Sequence, residues 1–312
     1  MTRRTNFVKC IVFFRSWWIL LFIMSTFMLG KGDVIYAQRM ENVSISKLQS
    51  KYQMPEFNLP IKRNYYIKEK IITNPLQLPE KVTIVRDEVA LVKHLLYGME
   101  KHQSYFAVYY PGIREDFIQY GKQSMQYDTF LEHLAIKNSY LMGTISGYCI
   151  SIKGEYVVFQ FHYNTTLKEE QWMNRYVATL AELWNRESDD MKIKLAHDYL
   201  VHKVQYDARY KSPFDALYRG RGLCMSYALA FQRIMQELDI PCIYIATNQH
   251  AWNMVKLGRY WYNVDVTYDD ADGSYRYFLK ADKDFPNHSR PDSGGYKHMT
   301  LAKKSYVLEG IY

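Results

Sequence analysis

Cysteine is scarce in this chain of 312 residues: it occurs only at Cys10, Cys149, Cys224 and Cys242. Three cysteines beyond the N-terminal stretch make no disulfide framework, and the odd count leaves at least one thiol free. Neither they nor the nine histidines show zinc-ligand spacing, so no metal and no cofactor are expected. Basic helices and arginine-rich runs are missing, which argues against a nucleic-acid partner. Asp269, Asp270 and Asp272 before Gly273 fail the calcium-loop register, because the first ligand position falls on Tyr268 and the twelfth on Leu279. They read as a solvated acidic turn. Charged residues make up only 23% of the chain against 48% hydrophobic ones, a balance that buries a core. No internal repeat or low-complexity tract interrupts it.

The first residues differ in kind from the rest. Arg3, Arg4, Lys9 and Arg15 surround and precede an apolar run from Trp17 to Leu29, with the small residue Ala37 after it. Residues 1–37 therefore read as a secretory signal peptide cleaved before Gln38 or, if uncleaved, as an N-terminal membrane anchor. Both readings place the remainder outside the cytoplasm, secreted or extracytoplasmic. Residues 1–37 hold five Lys or Arg and one Asp, so half of the net charge of +8 belongs to them and the rest is mildly basic at +4. Residues 38–82 carry Pro55, Pro60, Pro75 and Pro79 with little periodicity and read as a linker or extended segment.

Residues 83–165 read as a small α/β domain. The run Tyr105 to Tyr110 is β-prone, two helical stretches are expected around 114–134, and strands are expected over 141–153 and 155–163 about a turn at Lys153-Gly154. In the last strand Val157, Phe159 and Phe161 alternate with Val158, Gln160 and His162. Residues 166–312 read as a second domain. Thr166 and Glu169 form a capping box before a helix with Met173, Tyr176, Val177, Leu180, Ala181 and Trp184 at helical spacing. A further helix is expected over about 189–204, with Ile193, Ala196, Tyr199, Leu200 and Val204 on one stripe.

Cys224 follows Gly222 and opens a helical run whose stripe is Tyr227, Ala228, Phe231, Ile234, Met235 and Leu238. Taken alone, it is most simply a small buried hydrophobe. In the first turn of a helix, however, unpaired backbone N–H groups and the positive dipole end favour a thiolate, which is the nucleophilic form. Downstream, 242–256 and 259–267 are strand-like about Leu257-Gly258. A two-residue loop there pairs Lys256 with Arg259 and sets His250 opposite Asp265. Asp265 could then accept the Nδ1 proton of the imidazole and leave the other nitrogen for the thiol.

The segments Gly222-Leu223-Cys224-Met225-Ser226-Tyr227-Ala228, His250-Ala251-Trp252-Asn253 and Trp261-Tyr262-Asn263-Val264-Asp265-Val266-Thr267 resemble, in order and spacing, the three core motifs of the transglutaminase-like superfamily, secreted bacterial type. Val204-Gln205-Tyr206-Asp207 resembles its pre-core helix ending. The resemblance covers about 189–270. It implies an α+β fold with a papain-like core, in which a helix bearing the nucleophile packs on an antiparallel sheet. It carries over Cys224 as nucleophile, His250 as base and Asp265 as its orienter. Where members commonly have Gln and Gly after the cysteine, this chain has Met225 and Ser226, and a side chain at 226 is expected to crowd the groove beside the thiol.

The implied activity is cysteine-dependent acyl transfer from amide bonds of proteins or peptides through an acyl-thioester. Transfer to water makes a peptidase or amidase, and transfer to an amine makes a transglutaminase. The motif leaves both open. Tyr206 and Trp252 are the candidates for oxyanion or substrate contact, beside the Cys224 backbone N–H. The expected partner is a protein or peptide substrate, the cell envelope being one source, with the membrane reached only through residues 1–37. The alternative is a catalytically silent envelope protein that uses the same groove for binding.

Overall fold

The structure, a computed structural model, describes residues 82–111, 134, 137–247, 249–290 and 299–308. The leader, the linker up to residue 81 and all but the last residue of the 114–134 helical stretch fall outside these. By compactness the chain divides into units Met1–Met54 and Pro55–Tyr312, and every described residue belongs to the second. Among the described residues no helix is long and apolar enough to cross a membrane.

The class is α+β. A four-stranded sheet has the order β1-β2-β4-β3, with β1 at Thr83–Ile84, β2 at Tyr105–Tyr109, β3 at Ile145–Lys153 and β4 at Tyr156–Tyr163. Only the β1–β2 pair is parallel. The alternation read in β4 is realised: Val157, Phe159 and Phe161 are buried in a core shared with Leu91 and Leu95 of helix α1 (Glu88–Met99). The turn between β3 and β4 falls on Gly154-Glu155, one residue later than expected, because Lys153 pairs with Tyr156. Residues at the expected start of β3 are instead a short helix, α2 (Ser139–Gly143). Asn138 accepts from the Leu141 N–H there, a cap that outcompetes the weak strand signal of the sequence.

Helix α3 (Leu167–Trp184) begins at the expected capping box, with Thr166 N–H donating to Glu169 at 2.7 Å and Glu169 N–H to Thr166 Oγ1 at 3.3 Å. Helix α4 (Asp189–Lys203) follows, and its stripe Ile193, Ala196, Tyr199 and Leu200 is buried. Two short parallel strands, β5 (Gln205–Tyr206) and β6 (Arg221–Gly222), lead into helix α5 (Cys224–Glu237). Strands β7 (Cys242–Ala246), β8 (Ala251–Leu257) and β9 (Tyr260–Val264) then form an antiparallel sheet in that order, against which α5 packs through β7 and β8. Helix α6 (Val266–Asp272) starts directly after β9.

The two sheets share contacts through α5. Leu229 belongs to the core of the four-stranded sheet, and the Gln232 side chain donates to Ser139 Oγ at 2.7 Å in α2.

Candidate active site

Three chain segments meet at the N-terminus of α5. The backbone entering it is tied down by the β5–β6 pairing, which sets Tyr206 opposite Gly222, and by Leu223 N–H donating to Tyr210 O at 3.0 Å. Leu223 is extended and Cys224 takes the first helical position, where the N–H groups of the opening turn have no carbonyl within the helix. Gly222 is required here: a Cβ on it would lie 2.4 Å from the Ser226 Cβ. Ser226 does not crowd a groove, contrary to the expectation from sequence. It is fully buried, and its hydroxyl donates to Tyr210 O at 2.9 Å, because the helical turn points it inward against Gly222.

The β8–β9 hairpin supplies the other two groups. Its register pairs Leu257 with Tyr260 and Asn253 with Val264, so the turn is Gly258-Arg259, with Gly258 at φ +59°. That is a slip of two residues from the expected pairing. A slip of two keeps every side chain on its face, since the strand period is two. His250, just before β8, and Asp265, just after β9, are therefore diagonal rather than directly opposed. The longer reach brings the far end of the ring to the carboxylate: His250 Nε2, not Nδ1, lies 2.6 Å from Asp265 Oδ2. That leaves Nδ1 as the ring nitrogen for Cys224, whose side chain interacts with the imidazole and helps to raise it.

Asp265 is the N-cap of α6 and only 1% exposed. Its Oδ1 accepts from the backbone N–H groups of Thr267 at 3.0 Å and Tyr268 at 3.1 Å. Burial would raise its carboxyl, but hydrogen bonds from His250, His288 and the backbone hold it below the ordinary value. For His250, burial opposes the charge. Its bonds to Asp265 and the Cys224 thiol win, and its imidazole is pushed up to about 9. The imidazolium is thus the form present at neutral pH. The ring of Tyr268 stacks on it, with centroids 4.4 Å apart and planes inclined by 20°.

His288 is a member of the site that sequence reasoning missed. It lies beyond a short 3-10 turn (Asp282–Asp284), with its side chain 1% exposed. Its Nε2 sits 2.9 Å from the same Asp265 Oδ2. Its ring stacks on Phe285 at 3.9 Å and meets the edge of Trp252 at 4.8 Å. No motif precedes it, and the contact to Asp265 spans 23 residues of mostly irregular chain.

Donor atoms of His250, Asp265 and His288 lie within 4.8 Å of one another, so these residues are the group with the composition to hold a cation among the described residues. The separations to the shared oxygen, 2.6 and 2.9 Å, are hydrogen-bond distances. Tetrahedral ligands of zinc would stand about 3.3 Å apart, given metal–ligand bonds near 2 Å. The arrangement shares protons.

The remaining candidates lie at the margins. Tyr206 is 57% exposed, its backbone paired two residues before the thiol. Trp252 is 2% exposed and lies behind the imidazoles, its Nε1 buried without a hydrogen-bond partner among the described residues. The acidic run after the site is not a solvated turn. It lies on α6, where Asp269 is buried and accepts from Tyr277 N–H at 2.8 Å, and Asp270 accepts from the Tyr227 hydroxyl at 2.7 Å.

Residues 178–266, which run from α3 to the start of α6 and include Cys224, His250 and Asp265, match the family model described as the transglutaminase-like superfamily. No curated protein matches the chain. Two solved structures are similar over 39% of it. One is a TGase, with 14% identity, a TM-score of 0.29 and 44% of its own length covered. The other is a proposed cysteine protease from Cytophaga hutchinsonii, with 12% identity, a TM-score of 0.26 and 61% covered. The chain therefore spans less than two thirds of either. On an α+β fold, residues 178–266 are thus similar to the core of the transglutaminase-like superfamily.

Proposed function

We propose that the protein is a cysteine-dependent acyl-transfer enzyme acting on amide bonds of proteins or peptides outside the cytoplasm. The observation that carries this reading is the convergence of Cys224, at the start of a helix, on His250, which is bonded to Asp265. The reacting form is the Cys224 thiolate, its proton held by His250. Its sulfur attacks the amide carbonyl, and the backbone N–H of Cys224 stabilises the oxyanion. As the C–N bond breaks, His250 gives its proton to the leaving amine and a thioester remains on Cys224. Water or a second amine then attacks the thioester, His250 takes up the proton of the attacking group, and acid or new amide departs with the thiolate restored. Asp265 holds the ring in place and stabilises its charged form without taking its proton.

Export through residues 1–37 and an envelope protein or peptide as substrate belong to the same proposal. Its test is incubation with a glutamine-bearing peptide and a labelled amine, with Cys224→Ala alongside. Release of ammonia that depends on Cys224 supports the acyl-thioester. Free acid without incorporated amine identifies the hydrolase, and incorporation identifies the transferase. A Cys224→Ala protein with unchanged biological effect would favour the silent binding module.

A further inference from the structure

His288 makes two contacts that together determine where its protons lie. Its Nδ1 is 2.8 Å from the carbonyl oxygen of Pro286, which can only accept, so Nδ1 bears hydrogen. Its Nε2 is 2.9 Å from Asp265 Oδ2, and that oxygen already accepts from His250 Nε2. The other oxygen, Oδ1, accepts from two backbone N–H groups. A carboxylate so surrounded by donors is ionised and only accepts, so Nε2 of His288 bears hydrogen as well. The titratable groups whose rings or oxygens face this imidazole are Asp265, His250, Tyr268 and Tyr277; its other ring neighbours are Trp252 and Phe285.

We propose that His288 is a positioning residue of the site: a buried imidazolium that shares the Asp265 carboxylate with His250 and so limits how tightly His250 holds its own proton. The proposal rests on the acyl-transfer reading for its use but not for its observation. One carboxylate facing one imidazolium would make that imidazolium a poor acid. A second imidazolium on the same oxygen divides the negative charge and repels the first, since like charges disfavour each other. The consequence for catalysis is a His250 that is charged at neutral pH yet still able to protonate a leaving amine, as general acid catalysis requires. Pro286 and the Phe285 stack keep His288 from turning away.

The test is long-range proton–nitrogen NMR of the full chain labelled with 15N-histidine, titrated from about pH 5 to 10 across the reference range of histidine, for wild type and His288→Gln. Glutamine can still donate to Asp265 but carries no charge. The expected wild-type spectrum at neutral pH shows both nitrogens of His288 protonated, its signals assigned by their loss in the variant. The His250 titration midpoint is expected to move up in His288→Gln by about one pH unit. One bare nitrogen on His288 in the wild type overturns the proposal, and that spectrum needs no variant to fold. So does an unchanged His250 midpoint, or stoichiometric zinc in the sample whose removal changes the His288 signals. Alkylation of Cys224 no faster than of Cys242 would instead sink the acyl-transfer reading and leave the protonation of His288 standing.

Discussion

Helix α6 carries two buried histidine–carboxylate clusters, one at its N-cap and one a turn on, and the two are built from the same parts for different uses. At its start Asp265 receives His250 and His288. One turn on, Asp269 receives His197 Nε2 at 3.0 Å, while His197 Nδ1 lies 2.8 Å from Asp198 Oδ1. Lys194 and Tyr275 complete the second cluster on Asp198. In the first, two rings share one carboxylate, one ring is 14% exposed, and a thiol stands beside it. In the second, one ring lies between two carboxylates and His197, Asp198 and Asp269 are all buried. Burial opposes the charge on His197, but its two carboxylate partners raise its imidazole all the same. Burial is also what raises Asp269, whereas Asp198 is held low by His197 and Lys194 against its own desolvation. A perturbed histidine is therefore no sign of chemistry in itself. Reach to a nucleophile and to solvent separates the site from the brace.

The largest expected effect sharpens this contrast at the thiol. Cys224→Ala should cut turnover of an amide substrate by on the order of 10⁴-fold or more and leave the unfolding midpoint in urea nearly unchanged. A fold-change below ten would remove Cys224 from the reaction. Next comes the shared helix: Asp265→Asn should lower kcat by roughly 10³–10⁴-fold, since the ring loses its orienting charge. Asp269→Asn should leave kcat of the folded protein within a few-fold. Equal losses in the two variants would mean that the clusters act as one site.

His197→Ala should act on stability instead, costing about 3–5 kcal/mol in denaturant unfolding because it strands buried carboxylates without their partner. Its pH dependence has a definite sign. With the folded value of His197 raised, its contribution is fully present below about pH 6.5, the unfolded value, and is lost as pH rises through the folded one. The wild type should thus lose stability over that interval relative to His197→Gln. A parallel pair of stability curves would show that folding does not shift the titration of His197. The smallest effect is expected at Ser226→Ala, about 1 kcal/mol for the lost bond to Tyr210 O, with activity retained. A marked gain in activity would restore the view that Ser226 obstructs the groove.

Much of this architecture is legible in the residues. The capping box at Thr166, the stripe that buries α5 and the period of β4 are local patterns, and local geometry decides them. Cys224 at a helix start and His250 with Asp265 on one hairpin face also follow from such patterns, even though the turn was misplaced by one residue and the pairing slipped by two. That error was harmless to the face and not to the atoms, since it changed which ring nitrogen meets the carboxylate. Asn138 capping α2 was readable in principle, being a side chain that caps the N–H three residues on, but a strand-like run follows it closely.

What the sequence by itself determined is the set of elements and the order in which nucleophile, imidazole and carboxylate arrive, because caps and periodicities act over a few residues. What only the tertiary structure decided is which charges share a space. His288 reaches Asp265 across irregular chain, Asp269 is buried by a helix far back in the sequence, and Ser226 turns toward Gly222 rather than the thiol. Such contacts depend on packing between distant segments, and no local period encodes them.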